Sequence, residues 1–340
     1  MSAAEERKPV MEDIIRRFEP LWDVWQVDKF LGQGSFGRVW QVKTVRGGTT
    51  AYAAVKEVRI PFSTGDLYTA RAEGLDPDGA KAYFEALMKE TQREVDLMRD
   101  LACCENVVQL YDCQTVPLDE PGEFGWVILL RMERLVPFKS ILCERNLTVQ
   151  EIARLGIDIA RALEACEAHG IIHRDIKPDN LFYQPENGRY KLGDFGIAHY
   201  LERPTEGKGR AGTLTHMPPE VYQGAPFTPA ADLYALGMVL YRLLNDNRIP
   251  LLPPYPTPFT PKERDRATVQ RLRGAVVGEP AIVRYAACAQ ARGAGIGAQF
   301  DAESRGLADA LGRIACRALA VDPRDRFPSA AALREAIEQI

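Results

Sequence analysis

Residues 171–182 read "IIHRDIKPDNLF" and set His173, Arg174, Asp175, Lys177, Asp179 and Asn180 together between apolar flanks that suggest a buried backbone. Charged side chains are rarely buried unless they are paired or ligate something. The stretch is therefore a candidate site, and its surroundings must say of which kind. Before it, "TVQEIARLGIDIARALEACEAHG" has helical spacing and ends on Gly170; after it, "PENG" predicts a turn into the strand "RYKLGDFG". Helical patterns recur at "ADLYALGMVLYRLLN" and at the C-terminus, so the site belongs to a mainly helical half.

The other half reads as strands. From Trp25, "WQVDKFLGQGSFGRVWQVKTV" holds two β-prone segments around a glycine cluster, "GGTT" supplies a turn, and "AYAAVKEVRI" resumes the strand pattern as an antiparallel meander. A break at Gly74, Pro77 and Gly79 precedes a long helix, "AKAYFEALMKETQREVDLMRDLA", whose Phe84, Leu87, Thr91, Val95, Met98 and Leu101 form one stripe. Strands return at "VVQLYDC" and "GWVILLRM". Gly32, Gly34 and Gly37 fit G-x-G-x-x-G, but "RVWQVKTV" follows as a strand and no helix opens there, which argues against a dinucleotide-binding turn. The expectation is a hairpin lid whose backbone N–H groups can approach phosphate oxygens. Lys56, in the apolar strand "AAVKEV", needs anions: a phosphate and a carboxylate. Glu94 on the long helix is the natural partner, with Glu90 second.

Composition narrows the classes. The 340 residues, 46% hydrophobic and 26% charged, suit a soluble globular chain with two cores. The N-terminus lacks a signal-peptide core and no apolar run approaches the roughly 18 residues of a membrane span, so a cytoplasmic protein is expected. Seven cysteines without a C-x-x-C pair signal neither a disulfide framework nor a zinc site. A net charge of −4 without a dense basic block gives no footprint for nucleic acid or anionic lipid.

The motifs "GQGSFGRV", "AAVK", "HRDIKPDN", "DFG", "GTLTHMPPE", "ADLYALGMVLYRLL" and "DPRDRF" occur in this order, and from about Trp25 to the C-terminus the chain resembles the protein kinase superfamily in its Ser/Thr branch. "RMERLVPF", "NDNRIPLLPP" and the long segment before the αC helix make it look most like bacterial Ser/Thr kinases. The resemblance implies an α+β fold of two lobes: a flank over 1–20, a small antiparallel β lobe with the αC helix over 21–132, a hinge at 133–135, and a larger helical lobe over 136–340 with an atypical Ala/Gly-rich insert at 275–300. It implies Mg-ATP bound between the lobes, with the glycine lid and Lys56 on the phosphates and Glu94 pairing Lys56. Val39 and Ala54 would lie above the adenine and Phe182 below, with Met132 as gatekeeper and Glu133 to Leu135 as the hinge. Asp175 would orient the attacking hydroxyl and accept its proton, Lys177 would support the γ-phosphate, and Asn180 and Asp194 would hold Mg²⁺. The Lys two places after the catalytic Asp marks the Ser/Thr branch. The implied partner is a protein substrate with a Ser or Thr hydroxyl, the chain itself included.

Other residues receive structural expectations by the same resemblance: a buried Glu220–Arg326 pair, Asp232 bracing the catalytic loop, and His173 packing on Phe195. His169 and His173 have metal-ligand spacing, but Gly170 ends the helix between them. His199 and His216 read as surface or loop residues. The chain departs from the family pattern in "PPE" for "APE", in Ala53, and in the long spacer from Lys56 to Glu94. A pseudokinase scaffold and a small-molecule kinase are the alternatives; the first typically loses one of Lys56, Asp175, Asn180 or Asp194, and the second usually lacks Lys177 and the "GTLTHMPPE" loop. Control is expected through Thr205, whose phosphate would meet Arg174, joined by Lys208 or Arg210.

Overall fold

In the computed structural model, which describes residues 13–34, 37–61, 64–118, 124–195, 211–280 and 302–340, the meander forms as β1 (Gln26–Gly34), β2 (Gly37–Arg46) and β3 (Thr49–Ile60). With β4 (Leu110–Pro117) and β5 (Trp126–Met132) these strands make an antiparallel sheet in the order β1-β2-β3-β5-β4. The glycine cluster is a hairpin, with Gly34 paired to Gly37. The chain divides into two units, Met1–Lys89 with Leu110–Arg134, and Glu90–Gln109 with Leu135–Ile340.

In the first unit, Trp40, Val42, Ala53, Val55, Val127 and Leu129 form a core on one face of the sheet. The period of two that puts alternate side chains on one face explains the grouping. Ile14 and Ile15 complete this core from a short 3₁₀ turn, Ile14–Phe18, so part of the flank expected over 1–20 is packed. Beside it the Arg131 guanidinium lies 5.5 Å from the Trp22 ring, 5.1 Å from Trp25 and 5.5 Å from Tyr111.

Two helices follow β3. The first, α1 (Thr64–Ala72), was not legible: Tyr68 is exposed and Ala70 buried, which leaves no apolar stripe to read. The second, α2 (Pro77–Asp100), begins where the sequence shows a break, because proline suits a first helical position and the Asp76 carboxylate accepts the Gly79 N–H at 2.7 Å. All six residues of its expected stripe are buried.

The second unit is mainly helical. It contains α3 (Phe138–Glu144), α4 (Val149–Ala168), α5 (Ala211–His216), α6 (Pro219–Tyr222), α7 (Pro229–Leu244), α8 (Pro261–Leu272), α9 (Ala302–Ala318) and α10 (Ala330–Glu338). A capping box between Thr148 and Glu151 starts α4, satisfying N–H groups that have no partner inside the helix. α4 packs against α7 and α10, and α7 against α9. A three-stranded sheet, β6 (Val136–Pro137), β7 (Leu181–Gln184) and β8 (Arg189–Leu192), follows the loop formed by the opening stretch, whose last two residues, Leu181 and Phe182, begin β7.

Candidate active site

The loop before β7 is held from beneath. Asp232, buried in the first turn of α7, accepts the N–H of His173 at 2.7 Å and of Arg174 at 2.8 Å. These bonds help to hold Arg174 at φ 67, a left-handed conformation costly for a non-glycine residue. Asp232 thus braces the loop as expected, and burial pushes its carboxyl up to about 7 against the opposing pull of those two N–H groups. The His173 ring lies 4.8 Å from Phe195, with Nε2 at 3.0 Å from the Gly193 carbonyl and Nδ1 accepting the Asp175 N–H at 3.3 Å. That pairing requires the neutral tautomer with its proton on Nε2. Buried Ile176 anchors the loop.

On this support Asp175, Lys177 and Asn180 converge. Lys177 Nζ lies 2.6 Å from Asp175 Oδ2, and both side chains keep about a fifth of their surface exposed, 22% and 21%. Asn180 Nδ2 donates to Asp175 O at 2.8 Å and to Oδ2 at 2.9 Å. Its amide nitrogen is therefore spent, and Oδ1 is the atom left to face a cation. The Asn180 carbonyl accepts the Gly193 N–H at 2.9 Å, which ties this turn to the end of β8 and so to Asp194. Glycine is required at 193: a Cβ there would stand 2.8 Å from both the Phe182 ring and Val108. Asp194 is exposed at φ 59. Asn180 and Asp194 thus flank the two strands of one hairpin, in which Leu181 pairs with Leu192.

In the first unit, register places Val39, Lys56 and Leu130 in one row and Gln41, Ala54 and Met132 in the next, all on one face. Lys56 is 7% exposed. The side chain of Glu94, its expected partner, lies outside the described residues. Glu133 lies just beyond β5 in this unit and Leu135 opens the next segment of the second. Gly32 has nothing near its missing Cβ and Gly34 only a backbone oxygen at 3.9 Å, so both leave open room. Gly37 has a reason of its own, since a Cβ there would stand 2.2 Å from the Glu57 carbonyl. Glu57 itself escaped the sequence reading; on the core face it accepts from Trp40 Nε1 at 2.9 Å and from Arg59 Nε at 3.0 Å.

The structural expectations around "GTLTHMPPE" divide. Arg326 and Glu220 form a bidentate pair, 2.7 Å at each contact, with the Arg326 side chain 0% exposed. Arg271, not anticipated, is buried beneath the same segment and donates to the carbonyls of Met217 at 2.8 Å and Leu214 at 2.6 Å. His216 requires a correction. It ends α5 half-buried, with Nε2 3.3 Å from Arg242 Nη1 and Nδ1 shielded without a partner among the described residues, so it is not a surface residue. Burial first, and the Arg242 and Arg271 guanidiniums second, hold its imidazole well below the ordinary 6.5.

This burial predicts a pH effect. Below pH 6.5 the unfolded chain binds a proton at His216 that the native state refuses, so this group makes stability fall on acidification by about 1.4 kcal/mol per unit. Asp232 acts oppositely, since its native carboxyl holds a proton up to about 7 while the ordinary value is 3.8. The difference between wild type and His216→Gln isolates the first term. In urea unfolding at about pH 7.5 and about pH 5.5, the variant should gain on wild type by roughly 1 kcal/mol on acidification. A constant gap would overturn the buried neutral assignment.

The protein kinase domain family model matches residues 25–252, more than half of the chain. The chain belongs to that family. It is similar to Calcium/calmodulin-dependent protein kinase type 1 of Caenorhabditis elegans, 28% identical over 203 residues that cover 58% of this chain and 53% of the relative. It is also similar to Serine/threonine-protein kinase GIN4 of Saccharomyces cerevisiae, 32% identical over 66% of this chain and 19% of the relative. A third relative, Serine/threonine-protein kinase PAK 4 of Homo sapiens, is 31% identical over 48% of this chain and 25% of the relative. The chain thus spans about half or less of the length of these three. All three are eukaryotic proteins, and the bacterial affinity read from the motifs finds no support in them. Among the described residues no helix is long and apolar enough to cross a membrane.

Proposed function

We propose that the chain is an active protein serine/threonine kinase of the cytoplasm that transfers the γ-phosphoryl group of ATP to hydroxyls of protein substrates and of itself. The observation that carries this reading is the convergence of Asp175, Lys177 and Asn180 on a braced and accessible loop. Asp175 orients the substrate hydroxyl and takes its proton, and Lys177 sits beside it to meet phosphate charge. When bound, Mg-ATP supplies the phosphoryl group and neutralises much of the charge that spreads over it.

The donor set fits that cofactor. Oxygen ligands from one amide and one carboxylate, Asn180 and Asp194, suit Mg²⁺, which usually keeps waters and takes its other ligands from phosphates. Among the described residues no cluster of three His, Cys, Asp or Glu stands ready to hold a metal alone. Gly32, Gly34 and Gly37 would approach the phosphates with Lys56, whose partner would be Glu94. Val39, Ala54 and Phe182 would enclose the adenine, and Met132, Glu133 and Leu135 would line its edge. Mg-ATP at 100 times its dissociation constant should stabilise the protein by about 2.7 kcal/mol, read as a thermal shift. Lys56→Met should reduce that shift and suppress transfer. No shift in wild type would remove the nucleotide assignment.

Parallel assays with Ser, Thr and Tyr peptides test the acceptor class, and an acceptor that is a small alcohol alone would overturn it. Arg174 makes no ion pair among the described residues and lies 5.7 Å from the Phe227 ring, which leaves its charge for a phosphate. Thr205, Lys208 and Arg210 lie outside the described residues. On this reading, mass spectrometry after incubation with Mg-ATP finds phosphate on Thr205, and Thr205→Ala loses activity; an unmodified Thr205 or a fully active variant removes this control.

A further inference from the structure

Arg242, in the last turn of α7, is half-buried and forms no ion pair among the described residues. Its Nη2 donates to Asn247 Oδ1 at 2.7 Å, Nε faces the Asn247 carbonyl at 3.4 Å, and Nη1 lies 3.3 Å from Nε2 of His216. Nearby, buried Arg248 donates Nη1 to the carbonyls of Pro253 at 2.6 Å and Thr257 at 2.7 Å, and lies over the rings of Tyr255 and Phe259. Arg264, exposed on α8, adds a third guanidinium. The three line one cavity of about 320 Å³, together with Asp246 and Asn247. Among the described residues none of these arginines makes an ion pair. Burial first, and the like charge of Arg264 second, lower Arg242 to about 10 against the opposing pull of the Asp179 carboxylate, so it is still a cation at neutral pH. In a chain of net charge −4 this concentration is local, not a property of the whole surface.

The cavity adjoins the candidate chemistry. His216, which touches Arg242, also lines a second cavity with Arg174, Asp175 and Asp232. Arg242 therefore stands one side chain away from the cavity that holds Asp175. The contact with His216 is also informative. Arg242 can only donate, so His216 Nε2 accepts and Nδ1 carries the proton, as a shielded donor without an acceptor among the described residues. Three guanidiniums outnumber the one lining carboxylate, Asp246, and none is ion-paired among the described residues; beside an unsatisfied donor, that excess fits a ligand that brings negative charge and acceptor oxygens.

We propose that this cavity is a specificity subsite in which Arg242, Arg248 and Arg264 receive an anionic side chain, carboxylate or phosphate, of the polypeptide whose hydroxyl is presented to Asp175. The inference rests on the protein kinase reading. A segment with its hydroxyl at Asp175 passes His216 and delivers a neighbouring acidic residue to the guanidiniums, which hold carboxylate and phosphate oxygens in the same forked geometry.

Position-scanning peptide libraries with Mg-ATP test this on the full chain, with Glu and phosphoserine arms separating the two anions. Wild type should prefer an acidic residue at one fixed offset from the hydroxyl by about tenfold in kcat/KM, carried by KM and weakened by salt. Arg242→Gln should flatten that preference. Because that side chain is partly buried and its loss could disturb folding, exposed Arg264→Glu is the second variant, and it should shift the preference at the same offset towards Lys. Transfer without acidic preference, or a preference unchanged in both variants, overturns the subsite and leaves the kinase reading standing. Absence of transfer to every peptide defeats both.

Discussion

Asp175→Asn is expected to bind Mg-ATP like the wild type and to transfer phosphate roughly 10²–10⁴-fold more slowly, the range associated with a positioned general base. The carboxylate sits 2.6 Å from Lys177 Nζ and 2.9 Å from Asn180 Nδ2, so it orders the two groups beside it as well as the hydroxyl it would receive. An amide of the same shape keeps the fold of the loop, because the anchoring bonds run from Asp232 to the backbone of His173 and Arg174 and leave residue 175 out. It cannot accept a proton, and it weakens the hold on Lys177. The loss should fall on kcat with KM for ATP little changed. A thermal shift with Mg-ATP beside a radiolabel transfer assay separates the two outcomes: near wild-type turnover would remove Asp175 from the chemistry, and a lost thermal shift would make it a nucleotide-binding residue instead.

Arg326→Ala should be the most destabilising of the substitutions considered, at about 3–5 kcal/mol, because it strands the Glu220 carboxylate. Arg326 also donates Nε to the Ala320 carbonyl at 2.9 Å and Nη1 to Ala230 at 3.0 Å, and its guanidinium lies 4.7 Å from the Tyr234 ring. Glu220→Gln should cost less, since Glu220 keeps 17% of its side chain exposed and the guanidinium retains these other acceptors. Arg326→Lys should fall closer to the Ala variant than to wild type, because a point charge cannot satisfy both carboxylate oxygens and the carbonyls together. Urea unfolding of the three variants gives the order. A loss under about 1 kcal/mol for Arg326→Ala would mean that the pair behaves like an exposed one.

How far the sequence could be read follows from how local each feature is. The stripe from Phe84 to Leu101 and the helical spacing of α4 up to Gly170 were legible because helix periodicity and helix ends are set within a few residues. The α1 helix was not, since its exposed Tyr68 and short length leave no pattern. Ile14 and Ile15 fell within the flank expected over 1–20, and only the folded sheet provided a face for them.

The site divides the same way. The identities in "HRDIKPDN" and "DFG", and their order along the chain, were enough to propose phosphoryl transfer and to name Asp175, Lys177, Asn180 and Asp194. The family, the two halves and the residues that carry the proposed chemistry could thus be read from the amino acids alone, because motif spacing and hydrophobic period are local properties. It took the packed chain to show that Gly37 answers to the Glu57 carbonyl, that His216 is half-buried against Arg242, and that three arginines from α7, the turn after it and α8 share one cavity. Those facts depend on residues far apart in the chain being packed together. Such packing sets burial, and burial sets which charge is paired and which is left for a ligand.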